Sequence, residues 1–221
     1  MIQSAQDGRL IRNIWAVGRN YADHAKELGN SVPTPNEVPL IFLKAGSSIC
    51  FPTKKTNTES NGQIKLPNFS NDIHHELEIA FVYDSDYRFR ELALALDLTA
   101  RDLQNDLKSK GQPWTLAKSF IGSCPIGPIC NITDMNSIQD LRFQLQVNGE
   151  IRQSGHAANM IYSIEYLRKY VLDRFPVQPG DLLLTGTPQG VGPILPGDFL
   201  QAELFGYSKM TWTVLSPSPE K

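Results

Sequence analysis

The chain has 221 residues, 41% of them hydrophobic and 20% charged, with a formal net charge of −2 and a pI of about 6.1. That is enough for one large domain with a real core, and too near neutral to offer the basic face that nucleic acid or an anionic membrane requires. Cys50, Cys124 and Cys130 are odd in number and form no C-x-x-C pair, which excludes a disulfide framework or zinc cluster as the organising device and fits a reducing compartment.

Residues 1–10 read as a polar lead. They carry neither the apolar centre of a signal peptide nor an Arg/Ser-rich amphipathic pattern, and no apolar run approaches the roughly 18 residues of a span. Cytoplasm is the expected home, with no membrane partner. Residues 11–17 alternate and stop at Gly18, a strand and a turn. Asn20 stands where it can cap a helix over residues 21–28, with Gly29 as its stop. A Pro-rich loop over 31–39 leads into a short apolar strand ending at Lys44. Residues 52–63 are polar and aperiodic, the pattern of a mobile surface loop.

In residues 73–82, Leu77, Ile79 and Phe81 alternate with Glu76, Glu78 and Ala80, the period of a strand with one apolar face. On a strand Glu76 and Glu78 share a side, roughly 7 Å apart; on a helix they would diverge by about 200°. Two carboxylates on one face resist burial. Solvent exposure, a shared proton or a cation between them each relieves the repulsion.

Residues 91–99 alternate more cleanly. Leu92, Leu94, Leu96 and Leu98 form one face, and Ala93, Ala95, Asp97 and Thr99 the other. The second face is small, as if leaving room, and Asp97 sits in it. Thr99 to Asp102 fits a capping box, so a helix follows, with Arg101 and Gln104 one turn apart. Further on, Asn148-Gly149 is a hairpin turn signal, residues 160–171 have helical period, and Pro-Gly-Asp recurs at 179–181 and 196–198 before apolar strands. Many short strands, few helices and no regular βα alternation predict an α+β fold, mainly β, as a single unit over residues 1–221.

Four groups of residues carry candidate chemistry, each with an ordinary alternative. Glu76, Glu78 and Asp97 are either scattered surface acids or an oxygen cage for Mg²⁺, Mn²⁺ or Ca²⁺; an Asp among leucines and alanines is a poor free carboxylate. His24 and Glu27, at i and i+3, share a helical face and are either an exposed pair or a general base with its orienting carboxylate. Arg101, Gln104 and Lys118 are either solvated or placed to bind a carboxylate or enolate. The Gly-rich turn at 185–192 is neither a P-loop nor a dinucleotide fingerprint. It is a bare turn, or one in which Gly186 and Thr187 offer donors to an anionic ligand. His74 and His75 face opposite ways on a strand, and Cys124 and Cys130 have no nearby base.

Taken in order, GRNYADH (18–24), HHELE (74–78), LDLTARDLQ (96–104), GQPWTLAKSF (111–120) and LTGTPQGVG (184–192) resemble the fumarylacetoacetate hydrolase family. The resemblance runs from about Arg12 to the C-terminus and is nearest the small single-domain acylpyruvate hydrolases. It implies the family's mixed β-roll with a few short helices, usually as a homodimer. It implies Glu76, Glu78 and Asp97 as Mg²⁺ or Mn²⁺ ligands. His24 and Glu27 would lie on a helix that orders over bound substrate and activates water. Lys118, Arg101, Gln104, Gly186 and Thr187 would contact a small anionic 2-oxo acid. The implied reaction is hydrolysis of the C–C bond of a short 3-acylpyruvate to pyruvate and a carboxylate. Oxaloacetate decarboxylation and keto–enol isomerisation are alternatives on the same site, and an inactive metal-stabilised binding domain is the alternative without chemistry. Two departures stand out: the 84–90 link is shorter than usual by about ten residues, nearly three helical turns, and Ala45 stands where a Pro commonly follows.

Overall fold

The computed structural model describes residues 10–54 and 56–217, so residues 1–9 of the expected polar lead lie outside the described residues. In chain order the principal elements are β1 (Asn13–Gly18), α1 (Ala22–Glu27), β2 (Leu40–Ala45), β3 (Glu59–Lys65), β4 (Leu77–Tyr83), β5 (Phe89–Leu96), α2 (Arg101–Ser109), α3 (Thr115–Lys118), β6 (Arg142–Val147), β7 (Glu150–His156), α4 (Ile164–Leu172), β8 (Leu182–Leu184), β9 (Phe199–Leu204) and β10 (Ser208–Leu215). One six-stranded sheet runs Cys130–Asn131, β5, β4, β8, β1, β2, and a second runs β7, β6, β9, β10, β3, Thr53–Lys54. Both are mixed: β1 pairs with β8 and β10 with β3 in parallel, and the other ladders are antiparallel. The expected mainly β, α+β architecture is what the chain adopts.

Alternation decides which side chains meet. Leu92, Leu94 and Leu96 of β5 join Leu77, Ile79 and Phe81 of β4 in a core shared with Phe143, Leu145 and Trp212 of the second sheet. Fully burying each such side chain contributes roughly 1.5–3 kcal/mol. The other face of β4 and β5 is also buried. There Ala80, Ala93 and Ala95 pack against Ile49, Cys124 and Ile126. The small face therefore makes room for protein, through the short parallel pair Cys124–Pro125 and Ile49–Cys50, and β4 has no solvent side at all.

Local signals fared unevenly. Asn148 and Gly149 take φ of 53° and 83° and close the β6–β7 hairpin. In the Pro-Gly-Asp turns Gly180 and Gly197 are left-handed, and the Asp closes the turn: Asp181 accepts from Gln178 N–H and Trp15 Nε1, Asp198 from Leu195 N–H. Of the loop expected over 52–63, residues 59–63 are not free: they belong to β3, which pairs along β10 and buries Ser60, and residue 55 lies outside the described residues. Asn20 does not cap α1. Tyr21 takes that position, while the buried Asn20 amide bonds Tyr162 and the Thr185 carbonyl. The capping box at 99–102 is also unmade: Ala100 is the N-cap of α2, and Thr99 Oγ1 turns back to the Asp97 carbonyl. The helix expected from 160 begins at Ile164, capped by Ser163. The short 84–90 link is a tight turn in which Asp84 Oδ1 accepts from the N–H groups of Asp86 and Arg88.

Candidate active site

The acidic strand breaks at Glu76. Residues Ile73–His75 pair with Thr99–Ala100 in a small separate sheet, whereas β4 pairs with β5. The Asp97 N–H donates to the Glu76 carbonyl at 2.8 Å, so the two residues stand opposite each other where both chains leave one sheet for the next. Glu78 lies across from Ala95, on the small-residue face of the two strands. The ligand atoms of Glu76, Glu78 and Asp97 all lie within 4.8 Å of one another, and all three residues are buried.

Three cations surround them. Lys118, the last residue of α3, reaches Glu76 Oε2 at 2.8 Å and Asp97 Oδ2 at 2.6 Å. Arg101 donates to Glu76 Oε1 and to Gln104 Oε1 at 2.6 Å. Lys44 of β2 donates to Asp97 Oδ1 at 2.7 Å and to the Lys118 carbonyl. Sequence reasoning treated Lys44 only as a strand end. A lysine inside an apolar strand was the available signal, since a buried ammonium requires a carboxylate.

Electrostatics separate the acids. Burial works against ionised Glu76, but Lys118 and Arg101 outweigh it and hold the carboxyl well below the usual range. Burial likewise disfavours charged Lys118, and Asp97 and Glu76 more than offset that, so its pKa rises. Glu78 differs. Its recorded partner is the Gly186 N–H, at 2.6 Å, and among the described residues no cation pairs with it. Burial, then repulsion from Asp97 and Glu76, push its pKa well above the ordinary value. Lys118 offsets this only in part, so Glu78 is the one acid of the trio without an ion pair among the described residues, and an all-carboxylate donor set of this kind suits a hard divalent cation.

The Gly-rich turn ties this site together. Besides the Gly186 bond to Glu78, Thr187 Oγ1 donates to the Leu77 carbonyl and Thr185 Oγ1 to that of Ile79. Gly190 N–H donates to Glu27 Oε1 at 2.9 Å. Gly190 has φ of 93°, and a Cβ there would lie 1.8 Å from the Arg152 carbonyl oxygen, so only glycine fits. The donors expected to face an anionic ligand, the Gly186 N–H and the Thr187 hydroxyl, are thus committed to the acidic strand, although Thr187 still lines the cavity. Gln153, unremarked in the sequence, holds the same junction. Its Oε1 accepts from His75 Nδ1 and the Leu77 N–H, and its Nε2 donates to Thr187 Oγ1 and the Pro188 carbonyl. The acceptors fix the amide's orientation, and the bond to His75 places that imidazole's proton on Nδ1.

His24 is buried on α1, with Nδ1 3.3 Å from Glu27 Oε2. The carboxylate can only accept, so Nδ1 carries the proton and Nε2 keeps a lone pair. Burial lowers the His24 pKa, partly countered by Glu76 and Glu27. His24, the acidic trio, Arg101, Gln104, Lys118 and Thr187 line one cavity of about 200 Å³, a size for a small organic acid rather than a polymer. Cys124 lies apart from this set, buried, its thiol pushed up to about 12. Among the described residues no helix is long and apolar enough to cross a membrane.

Residues 13–215 match the family profile described as Fumarylacetoacetate (FAA) hydrolase C-terminal. The chain belongs to the fumarylacetoacetate hydrolase family. It is 38% identical over 216 residues to human oxaloacetate tautomerase FAHD1, mitochondrial, covering 93% of each chain. To the mitochondrial oxaloacetate decarboxylase of Dictyostelium discoideum it is 39% identical over 208 residues, covering 88% of this chain and 89% of that one. The crystal structure of fumarylpyruvate hydrolase from Pseudomonas aeruginosa in complex with Mn²⁺ and pyruvate superposes with a TM-score of 0.85 at 28% identity, covering 97% of this chain and 94% of that one. These family relatives are enzymes of small 2-oxo acids. Two are mitochondrial by name, where composition alone pointed to the cytoplasm.

Proposed function

We propose that this family member is a divalent-metal-dependent enzyme that converts a small 2-oxo acid through its enolate, with oxaloacetate tautomerisation or decarboxylation as its reaction. The observation that carries the reading is the buried carboxylate trio, in which Glu78 forms no ion pair among the described residues. The oxaloacetate relatives and the Mn²⁺–pyruvate complex of the fumarylpyruvate hydrolase support it. Glu76, Glu78 and Asp97 would hold Mg²⁺ or Mn²⁺. Such a cation, when bound, supplies Lewis acidity and two positive charges beside the oxygens of the 2-oxo acid.

The protein's own groups do the rest. Lys118 stays protonated and adds positive charge where the enolate oxygen develops. Arg101, fixed by Glu76 and by Gln104, orients the substrate's near carboxylate. Burial of the site excludes water and strengthens each of these interactions. In decarboxylation the C3–C4 bond breaks, CO₂ leaves, and the electron pair passes into the C2–C3 enolate. In tautomerisation a proton leaves C3 and the C2 oxygen gains one, with His24 Nε2 as the acceptor on this face.

Hydrolysis of a short acylpyruvate is a second reading, favoured by the anchored His24–Glu27 pair. His24 Nε2 takes a proton from water, the hydroxide attacks the C4 carbonyl, and the C3–C4 bond breaks with its electrons on the pyruvate enolate. A homodimer is part of the proposal. Leu43 of β2, Leu116 of α3 and Ile121 just beyond it are exposed apolar side chains on contacting elements.

Oxaloacetate and acetylpyruvate, each assayed with Mg²⁺ and with Mn²⁺, test the reading. Turnover of oxaloacetate that disappears with chelator supports it. Turnover of acetylpyruvate alone favours hydrolysis. A protein that binds Mn²⁺ and turns over neither is the inert binding domain.

A further inference from the structure

The cations of the cavity divide by their bonding. Arg101 and Lys118 are committed to Glu76 and Asp97. Arg19 and Lys108 line the same cavity, half-buried, and neither forms an ion pair with a carboxylate among the described residues. An aromatic wall joins the two sets. Lys118 Nζ lies 5.1 Å from the Phe42 ring centroid, the Phe42 and Trp114 centroids are 5.9 Å apart, and Lys108 Nζ lies 5.1 Å from that of Trp114. The wall thus carries one ammonium at its buried end and another at its outer end.

Arg19 is placed with equal care. Its φ of 57° is left-handed, a conformation a non-glycine side chain keeps only where its surroundings over-determine it, and such positions cluster at ligand sites. Next to it in the chain, the fully buried Asn20 side chain is pinned by bonds to Tyr162 and Thr185. The lining also has more cationic side chains than carboxylates, four against three, and a bound divalent cation widens that excess. Burial and the neighbouring Arg101 and Lys118 make the charge on Lys108 costly, a cost that an incoming anion relieves.

We propose that Arg19 and Lys108 form a second anion subsite at the outer end of the cavity. It takes the far carboxylate of a 2-oxo dicarboxylate and makes the site selective for dianionic over monoanionic acids. The proposal rests on the enolate reading above for the placement of the near carboxylate. Phe42 and Trp114 pack along the carbon chain between the two charged ends.

Binding tests this without turnover. Stable 2-hydroxy acids share the near carboxylate and its neighbouring oxygen, so calorimetry in Mg²⁺ compares malate with lactate and 2-hydroxyglutarate with 2-hydroxybutyrate. In the native protein at least one dicarboxylate should bind at least about tenfold tighter than its partner. In the Arg19→Gln Lys108→Gln double variant that ratio should fall to near one, with the monocarboxylate affinity unchanged as evidence of an intact fold. The single variant Lys108→Gln, on half-exposed α2, should lose part of the ratio if the double variant does not fold. A native ratio near one for both pairs, or a ratio that survives in Lys108→Gln and in the double variant, overturns the subsite. Dicarboxylate preference without any turnover of oxaloacetate would instead overturn the proposed reaction and leave the subsite standing.

Discussion

Lys44 Nζ lies 2.7 Å from Asp97 Oδ1, with the two side chains 0% and 1% exposed. The pair joins β2, at one edge of the first sheet, to the end of β5 near the other, and the same ammonium holds the carbonyl of Lys118. One buried cation thus positions both a candidate metal ligand and the candidate enolate-stabilising lysine.

Lys44→Met should therefore be among the most damaging single substitutions. Its loss leaves Asp97 Oδ1 and the Lys118 carbonyl without their buried donor and Lys118 as the one cation on Asp97, and the expected cost is about 3–5 kcal/mol. Urea denaturation measures it; a midpoint equal to that of the native protein would show that Asp97 does not depend on Lys44.

Glu78→Gln should behave oppositely in the metal-free protein. Burial and the neighbouring acids already oppose its charge, so metal-free stability should stay within about 1 kcal/mol of native. Mn²⁺ affinity, read by calorimetry, should fall at least about a hundredfold with a ligand removed. In the native protein Mn²⁺ should raise the Tm and chelator should return it. Native-like Mn²⁺ binding by the variant would rule out the cage.

The pH dependence follows His24. Burial holds its folded pKa below the ordinary 6.5. Neutral imidazole is what the fold favours, so its contribution to stability is intact above the unfolded value and is lost as pH falls through the folded one. Acetylpyruvate hydrolysis should have an acid limb below 6.5, because Nε2 must be unprotonated. His24→Ala should abolish that hydrolysis and leave oxaloacetate decarboxylation measurable. Equal loss of both reactions, compared as kcat/KM, would refute the division of labour.

Gln153 is not among the residues that line the cavity, yet it holds Thr187 and His75 from the opposite sheet. Gln153→Ala leaves buried donors and acceptors without partners, at an expected cost of about 2–4 kcal/mol. Turnover should drop roughly ten- to a hundredfold through misplacement of the turn, while the acid limb set by His24 stays where it was. A shifted limb would mean that Gln153 acts on the base and not on the turn.

Much of the site was legible because its signals are local. Glu76, Glu78 and Asp97 stood out through strand period, and the structure brings the three together. His24 and Glu27 stood out through helical spacing, and they pair. Hairpin turns at Asn148-Gly149 and the stop at Gly29 rest on backbone conformations that a residue type announces. The capping expectations at Asn20 and Thr99 failed for different reasons: tertiary partners draw Asn20 to Tyr162 and Thr185, whereas Thr99 bonds a competing local acceptor, the Asp97 carbonyl two residues back.

By itself the sequence determined the mixed β architecture, the carboxylates that share a strand face and the ordered motifs of the family, since period and turn chemistry act within a few residues. The tertiary structure decided the rest. Lys44 meets Asp97 53 positions away and Gln153 meets Leu77 76 positions away, and no local pattern encodes such distances. It also turned the Gly186 N–H and the Thr187 hydroxyl onto Glu78 and the Leu77 carbonyl, because buried carboxylates and strand carbonyls must be satisfied within the protein. Glu78 alone of the acidic trio was left bonded to a backbone N–H instead of a side-chain cation, and on that imbalance rests the proposal that the cluster holds a metal rather than forming a closed set of ion pairs.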